Sequence, residues 1–276
     1  MMRVSLCNEV LGDLPFARQC AFAEAVGYDG LELAPMTLSD EPHRLPAAAR
    51  AVLRKTAADA GIAITGLHYV LKAPAGLSIT SADPAVREKT IEVMRGLCAL
   101  AGDLGGSVVV HGSPDQRQLV PGEEADGRKR AADAFAAVAD AARAAGIVYC
   151  IEPLSPPQTP CINTVAEAAE IVRAVGNPAL RTMIDCSSAA VSETGPLADL
   201  IRRWVPTGLI AHVHFNDPNR RGPGEGDLAF APIVAALREV GYRGDIGVEP
   251  FVYRPDGPAC AARAIGYVRG LLETVR

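Results

Sequence analysis

Residues 130–153 read RAADAFAAVADAARAAGIVYCIEP and contain the pattern on which the fold prediction depends. An Ala-rich stretch with helical periodicity runs up to Gly146, where a glycine can adopt the left-handed conformation that ends a helix. The run Ile147–Glu152 then reads as a short buried β-strand that ends on a carboxylate. Helix, glycine, strand and polar strand end, in that order, predict one βα repeat of a parallel sheet.

The same unit recurs along all 276 residues. We predict eight strands, namely Val4–Asn8, Asp29–Leu33, Ala63–His68, Ser107–His111, Ile147–Glu152, Arg181–Asp185, Ile210–Phe215 and Asp245–Glu249. Helices are expected to begin near Pro15, Pro46, Pro84, Gly127, Thr164, Pro196, Phe230 and Pro258. Eight βα units in about 250 residues are typical of a closed (β/α)₈ barrel. We therefore predict an α/β protein that forms a single-domain TIM barrel over residues 1–276.

The composition limits the partners. The chain is 49% hydrophobic and 21% charged, with a formal net charge of −5 and no long Lys/Arg run. A small-molecule partner is therefore expected, rather than nucleic acid or a membrane surface. No stretch approaches the roughly 20 apolar residues that span a bilayer, and no signal-peptide pattern follows Met1, so we expect a cytoplasmic protein. Seven cysteines without C-x-x-C spacing predict reduced, buried thiols.

A polar or ionisable residue stands at the last or next-to-last position of every predicted strand, and the strand ends of a parallel barrel form the rim where its active site lies. The eight residues are Asn8, Glu32, His68, His111, Glu152, Asp185, His214 and Glu249. A single strand-end acid is more often a helix cap than a catalyst. Three carboxylates and a histidine on strands five to eight, however, would repel one another or shift their pKa values strongly. A divalent cation resolves this repulsion, and three oxygen ligands with one nitrogen suit Mn²⁺, Mg²⁺ or Co²⁺ better than a thiolate-rich zinc site.

Seven short stretches carry a family resemblance by their order and spacing. They are GYDGLEL at 27–33, CIEP at 150–153, MID at 183–185, HVHFND at 212–217 with PGEG at 223–226, and GYRG at 241–244 leading to VEPF at 248–251. With these stretches the chain resembles the xylose-isomerase-like TIM barrels, a superfamily of sugar and sugar-phosphate isomerases and epimerases. The resemblance covers essentially the whole chain.

The ketose 3-epimerase branch of that family implies roles for the rim residues. By this resemblance Glu152, Asp185, His214 and Glu249 coordinate one divalent metal ion, and Glu152 and Glu249 are also the catalytic acid–base pair. Mn²⁺ is the favoured ion, with Co²⁺, Mg²⁺ and Zn²⁺ as alternatives. Arg220 resembles the substrate-contacting arginine of the family, the alternative being a solvated loop cation.

Two positions depart from the family pattern. Many relatives have a histidine three residues after the sixth-strand aspartate, where this chain has Ser188, and some ketose epimerases have a substrate-binding glutamate where it has Gln158. We keep both positions as substrate-binding candidates. The endonuclease branch also requires that histidine and an Asp/His pair after strand seven, which the loop Pro218–Pro223 lacks. A DNA-repair site is therefore not expected.

Four more residues are candidates for contact with a substrate. His68, His111 and Glu32 stand at strand ends, although a buried, hydrogen-bonded role is the alternative for the histidines and a positioning role is favoured for Glu32. Arg117 lies in a polar loop after strand four, where it could meet a substrate carboxylate or phosphate or be an ordinary surface cation.

These residues predict a metal-dependent isomerase or 3-epimerase of a small keto-sugar or sugar acid. The reaction would pass through a metal-stabilised enediolate, with two glutamates exchanging protons. One alternative is a metal-dependent lyase or decarboxylase that acts on a 3-keto sugar or sugar acid, and another is a noncatalytic sugar-binding barrel. The Ala-rich helix Arg130–Ala145 could pack on the barrel or on a partner subunit, and a homodimer is the assembly we favour.

Overall fold

A closed barrel of eight parallel strands forms the centre of the protein in a computed structural model that describes residues 2–275. The strands are β1 (Val4–Cys7), β2 (Gly30–Leu33), β3 (Ala63–Leu67), β4 (Val108–His111), β5 (Val148–Ile151), β6 (Leu180–Asp185), β7 (Ile210–Phe215) and β8 (Ile246–Val248). Each strand pairs with its neighbours in sequence, and β1 pairs with β8. The predicted single-domain α/β barrel is confirmed, and the two terminal residues of the predicted range, Met1 and Arg276, lie outside the described residues.

Helices follow the strands and cover the outside of the barrel. They are α1 (Phe16–Val26), α2 (Ala47–Asp59), α3 (Pro84–Leu104), α4 (Glu124–Ala144), α5 (Val165–Val175), α6 (Cys186–Ser192), α7 (Leu197–Trp204), α8 (Phe230–Glu239) and α9 (Gly257–Thr274). The predicted glycine end at residue 146 is confirmed, since Gly146 has a φ of 69°. The prediction missed α6, and it began α4 three residues late, at Gly127 instead of Glu124.

Several strands end one residue earlier than predicted. Glu152 and Glu249 follow the last residues of β5 and β8, and their N–H groups still donate to the carbonyls of His111 and Phe215 at 3.3 Å. These long bonds mark the place where the backbone leaves the ladder and turns outward. The residues predicted as strand ends therefore stand just above the sheet, at the mouth of the barrel.

The hydrophobic core has two parts. A large part lies between the strands and the helices, and a small part inside the barrel comprises Val108, Val110, Cys150 and Met183. Side chains alternate along a strand, so residues two positions after Cys150 and Met183 also point inward. Those residues are Glu152 and Asp185, which the alternation places in the barrel mouth above an apolar plug.

All seven cysteines are buried, as predicted, and none forms a disulfide within the described residues. Of the helices between residues 2 and 275, none is long and apolar enough to cross a membrane.

Candidate active site

A cavity of about 340 Å³ opens at the carboxyl ends of the strands. This volume is within the usual range for sites that bind small molecules. Glu152, Asp185 and Glu249 stand in the cavity floor. The loops supply the wall residues, which are Tyr69, Gly112, Ser113, Pro114, Asp115, Leu154, Pro157, Gln158, Ser187, Ser188, Asn216, Arg220 and Phe251.

Four buried side chains could hold one metal ion. Glu152, Asp185, His214 and Glu249 each offer one atom, and these atoms all lie within 4.8 Å of one another. The strand register explains this, because Asp185 stands opposite His214 in the β6–β7 ladder and His214 stands opposite Gly247 in the β7–β8 ladder. The three carboxylates and one imidazole form a donor set that fits a hard or borderline divalent cation.

The pKa values of the three carboxyl groups are shifted in different directions. Burial, with the charges of Glu152 and Glu249, raises the pKa of Asp185 to about 7. Burial and the charge of Glu249 also raise the pKa of Glu152. Burial opposes ionisation of Glu249 as well, but His214 and His68 outweigh it and lower the pKa of Glu249 to about 2. A divalent cation among them would favour the charged form of all three.

Glu32 holds the His214 ring in place. The Nε2 atom of His214 lies 3.0 Å from Glu32 Oε1, while Nδ1 faces Glu249 at 3.2 Å and Glu152 at 3.4 Å. Burial would lower the pKa of His214, but Glu249 and Glu32 hold it well above its ordinary value. A Cβ atom on Gly247 would lie 2.7 Å from the His214 ring and 2.9 Å from Glu32, so only glycine fits there. This arrangement turns Nδ1 toward the three carboxylates, as expected of a histidine oriented to bind a cation.

His68 contacts the carboxylate oxygen of Glu249 that His214 does not. Its Nδ1 lies 2.9 Å from Glu249 Oε1 and its Nε2 lies 2.8 Å from Glu9 Oε2. Burial opposes the charged imidazolium, but Glu9 and Glu249 outweigh it and raise the pKa of His68 to about 10. His68 is fully buried and does not line the cavity, so its geometry is that of a group that orients Glu249.

Asn216 joins two of the four candidate ligands, and the sequence analysis assigned it no role. Its Nδ2 donates to Asp185 Oδ2 at 2.7 Å and reaches Glu249 Oε2 at 3.4 Å, while its Oδ1 accepts from Ser187 N at 2.9 Å. It lies just beyond β7 and lines the cavity. Two sequence signals could have identified it, its place in the stretch 212–217 and its position two residues after His214, because alternation points both residues to the same side.

The predicted ring of eight polar strand ends is incomplete. Glu32 lies beneath the cavity floor, with its Oε2 at 2.8 Å from His212 Nε2. Burial would raise the pKa of Glu32, but the imidazoles of His212 and His214 outweigh it and hold this pKa well below its ordinary value. Asn8 faces α1 and donates to Gln19. Neither residue lines the cavity, so the geometry favours the positioning role for Glu32.

His111 points away from the barrel mouth. A Cβ atom on Gly112 would overlap the Glu152 carboxylate, so Gly112 faces the site and alternation turns His111 toward α4. Its Nδ1 lies 2.8 Å from the hydroxyl of Tyr149, and its ring packs edge-on against Phe135 at 4.9 Å between centroids. Burial and nearby Arg117 hold the pKa of His111 well below its ordinary value. The structure does not bring His111 to the cavity.

Three of the predicted substrate-contact residues, Arg220, Gln158 and Ser188, do line the cavity. The Arg220 guanidinium lies over the Phe251 ring at 4.8 Å from its centroid. Gln158 Nε2 donates to the Ser188 hydroxyl at 3.3 Å, and Ser188 N donates to Asp185 Oδ1 at 2.6 Å, which makes Asp185 the cap of α6. These contacts put the two departures from the family pattern side by side on one wall.

Strained backbone surrounds the cavity. Tyr69, Ser113 and Arg220 have φ values of 50°, 38° and 66°, which non-glycine residues rarely adopt, and all three line the cavity. Ser113 accepts a hydrogen bond from Leu71 N at 3.0 Å, and the carbonyl of Arg220 accepts from the N–H groups of Phe251 and the next residue at 2.8 and 2.9 Å. Sequence reasoning missed Tyr69 and Ser113, because nothing in a residue's type announces such a backbone conformation. It also assigned no role to Phe251, although Phe251 ends the stretch 248–251 that carries the family resemblance.

Comparison with known proteins agrees with this geometry. The family model described as xylose isomerase-like TIM barrel matches residues 20–271. A D-psicose 3-epimerase from Agrobacterium fabrum is 30% identical to this chain, and the match covers 82% of this chain and 76% of the epimerase. An L-ribulose 3-epimerase from Mesorhizobium japonicum is also 30% identical, and the match covers 72% of this chain and 65% of that epimerase. A solved L-ribulose 3-epimerase superposes with a TM-score of 0.82 at 25% identity, covering 100% of this chain and 96% of the other. The chain belongs to the xylose isomerase-like TIM barrel family.

Proposed function

We propose that the protein is a divalent-metal-dependent 3-epimerase of a small keto-sugar. The observation that carries this proposal is the pair of glutamates in the cavity floor, which come from the separate strands β5 and β8. Glu152 and Glu249 approach the same nitrogen of His214, at 3.4 and 3.2 Å. The family relatives that act on D-psicose and L-ribulose support the substrate class.

Glu152, Asp185, His214 and Glu249 would hold the cation, with Mn²⁺ as the favoured ion. When bound, a divalent cation supplies Lewis acidity that polarises the keto oxygen and acidifies the adjacent C–H bond. Glu32 and Asn216 keep the ligand atoms turned toward one another through the contacts described above.

The two glutamates supply the proton transfers. One glutamate removes the proton from C3 of the ketose, and the electron pair of the broken C–H bond moves into the C2–C3 bond as charge develops on the keto oxygen. The other then delivers a proton to the opposite face of C3 while the carbonyl re-forms.

The wall residues would bind the sugar above this floor. Arg220, Gln158 and Ser188 offer hydrogen-bonding groups for hydroxyl oxygens, while the rings of Tyr69 and Phe251 meet edge to face at 6.4 Å and offer an apolar surface for the carbon face of the sugar. The polar groups would fix which carbon lies over the glutamates, and the rings would limit the access of water to the intermediate.

Turnover in D₂O tests the reaction. Protein reconstituted with Mn²⁺ should convert ketohexoses or ketopentoses into their C3 epimers with deuterium at C3, as read by NMR. E152Q and E249Q should lose at least about 100-fold in kcat, whereas the exposed control E88Q should keep wild-type turnover. Deuterium at C1 or C2 would contradict epimerisation in favour of aldose–ketose isomerisation. An unsaturated product or CO₂ would indicate the lyase alternative, and sugar binding without conversion would indicate a binding protein.

Elemental mass spectrometry tests the metal separately. Wild-type protein should hold about one equivalent of a divalent metal, and E152A and H214A should lose it because each removes one of four ligands. E88A is the matched control and should keep the metal. A wild-type protein that takes up no metal after reconstitution would contradict the proposed mechanism.

A further inference from the structure

A fully buried guanidinium lies behind the cavity wall. Arg117 ends the 3₁₀ turn Pro114–Arg117 after β4, and its exposure is 0%. Its Nη2 donates to the main-chain carbonyl of Glu152 at 2.6 Å, while its Nε and Nη1 have no hydrogen-bond partner within residues 2–275. Arg117 does not line the cavity, so the geometry does not favour direct contact with a substrate carboxylate or phosphate.

Arg117 lies where two active-site loops are joined. Its own carbonyl accepts from Thr159 Oγ1 at 3.0 Å, and the next residue, Gln118, donates from Nε2 to the carbonyl of Gln158 at 2.8 Å. The loop after β4 is thereby bound to the loop after β5, and the guanidinium extends this connection to Glu152. The connection includes the place where β5 leaves the ladder and the backbone is least supported by strand pairing.

Burying the charged guanidinium of Arg117 is energetically unfavourable. Burial lowers the pKa of Arg117 to about 10, and the carboxylate that opposes this effect most is that of Glu152. Burying a cation whose donors are only partly hydrogen-bonded is unfavourable, and an apolar side chain of similar volume is often neutral or stabilising in such a position. An apolar side chain could fill the same space, so we look for the role of Arg117 in its hydrogen bond to Glu152.

We propose that Arg117 is a positioning residue for Glu152: its hydrogen bond fixes the main chain that carries this glutamate. The inference rests on the proposed function, which makes Glu152 both a metal ligand and one of the two proton-transfer groups. Arg117 then acts through Glu152 without touching the sugar.

The test compares R117M and R117K with a matched control, R50M. Arg50 also donates to main-chain carbonyls, those of Leu45 and His43, but it lies on α2 away from the cavity. R117M should lower kcat and Mn²⁺ affinity by about 10- to 100-fold each, the usual effect of losing a group that orients a ligand. KM should stay within threefold because the wall residues are untouched. R117K keeps a donor that can reach the Glu152 carbonyl but lacks the planar donor geometry, so it should recover part of the loss. R50M should change neither quantity.

Three outcomes decide the inference. Wild-type kcat and Mn²⁺ affinity in a folded R117M would overturn it, and so would an equal rise in KM and fall in kcat/KM with kcat unchanged. If R117M does not fold, R117K is the deciding variant. A kcat lowered more than threefold at unchanged KM would support the inference, and wild-type values would overturn it. If the wild type converts no ketose, the proposed function fails, but Mn²⁺ titration of R117M and R50M still shows whether Arg117 positions Glu152.

Discussion

At the scale of single residues, Gly112 decides where the Glu152 carboxylate can lie. A Cβ atom there would overlap Glu152 Oε2, the mobile end of a side chain, so G112A should fold normally while the carboxylate moves. Moving the carboxylate by about 1 Å should lower kcat by about 100-fold. Steady-state kinetics on the ketose, with the melting temperature measured in parallel, tests this.

Gly266 supplies the control for that substitution. It lies within α9, and a Cβ atom added there would meet nothing within 4 Å. G266A should keep wild-type kcat and raise the free energy of unfolding by up to about 1 kcal/mol, because alanine is the better helix former. Equal kinetics in G112A and G266A would show that the contact at Gly112 has no catalytic consequence.

Asn216 should control metal affinity without binding the metal. N216A removes the donor to Asp185 and the acceptor for Ser187, so Mn²⁺ affinity by calorimetry should fall about 10- to 100-fold. Asn177 makes matching bonds at the opposite end of β6, to Asp140 and to the N–H of Ala179, at 3.0 Å each. N177A should leave the affinity unchanged. A similar loss in both variants would indicate general destabilisation.

At the scale of elements, the outward face of β4 makes His111 a packing residue. H111F removes the bond to Tyr149 while keeping a ring against Phe135. The free energy of unfolding in urea should fall by about 1–3 kcal/mol, because a buried hydroxyl loses its partner. KM and Mn²⁺ affinity should stay within threefold of wild type. A KM raised tenfold or more would restore the sequence-based hypothesis that His111 contacts the substrate.

The same strand shows which parts of the fold and site were predictable. The helices and strands could be predicted because Ala-rich stretches that end in glycine alternate with short apolar runs. Once the barrel closes, the polar residues at the ends of strands five to eight must lie close together. Strand β4 reads Val-Val-Val-His, with no polar contrast to tell which face of the strand is inward. The support given by Glu32, His68 and Asn216 depends on distances across the barrel mouth, and α6 begins from a cap by Asp185 that local sequence alone does not reveal.

At the scale of the whole molecule, a bound cation should stabilise the barrel in a pH-dependent way. Four strands each contribute one candidate ligand, so Mn²⁺ at 100 times its Kd should add about 2.7 kcal/mol to the free energy of unfolding. The pKa of Asp185 is raised from 3.8 to about 7, so protons compete with the cation below that pH. Without Mn²⁺, ionising this buried acid as the pH rises toward 7 costs stability.

Thermal melts with and without Mn²⁺ from pH 5 to pH 8.5 test this. The stabilisation should be largest above pH 8, decline as the pH falls through 7 and be much weaker in D185N, which lacks the charge. A stabilisation that is constant across this range would contradict a role for Asp185 in binding the cation. The homodimer stays a prediction that light scattering can check.

The left-handed conformations of Tyr69, Ser113 and Arg220 have a consequence for evolution. Each such residue costs on the order of 1–3 kcal/mol, so the rim is less stable than a rim with glycine at the same three positions would be. Selection for heat resistance alone would favour exchanges that relax these conformations, and they would remove side chains from the cavity wall. This chain should therefore gain thermal tolerance more readily through substitutions in its outer helices than at its rim, where relaxing the backbone would change the cavity wall.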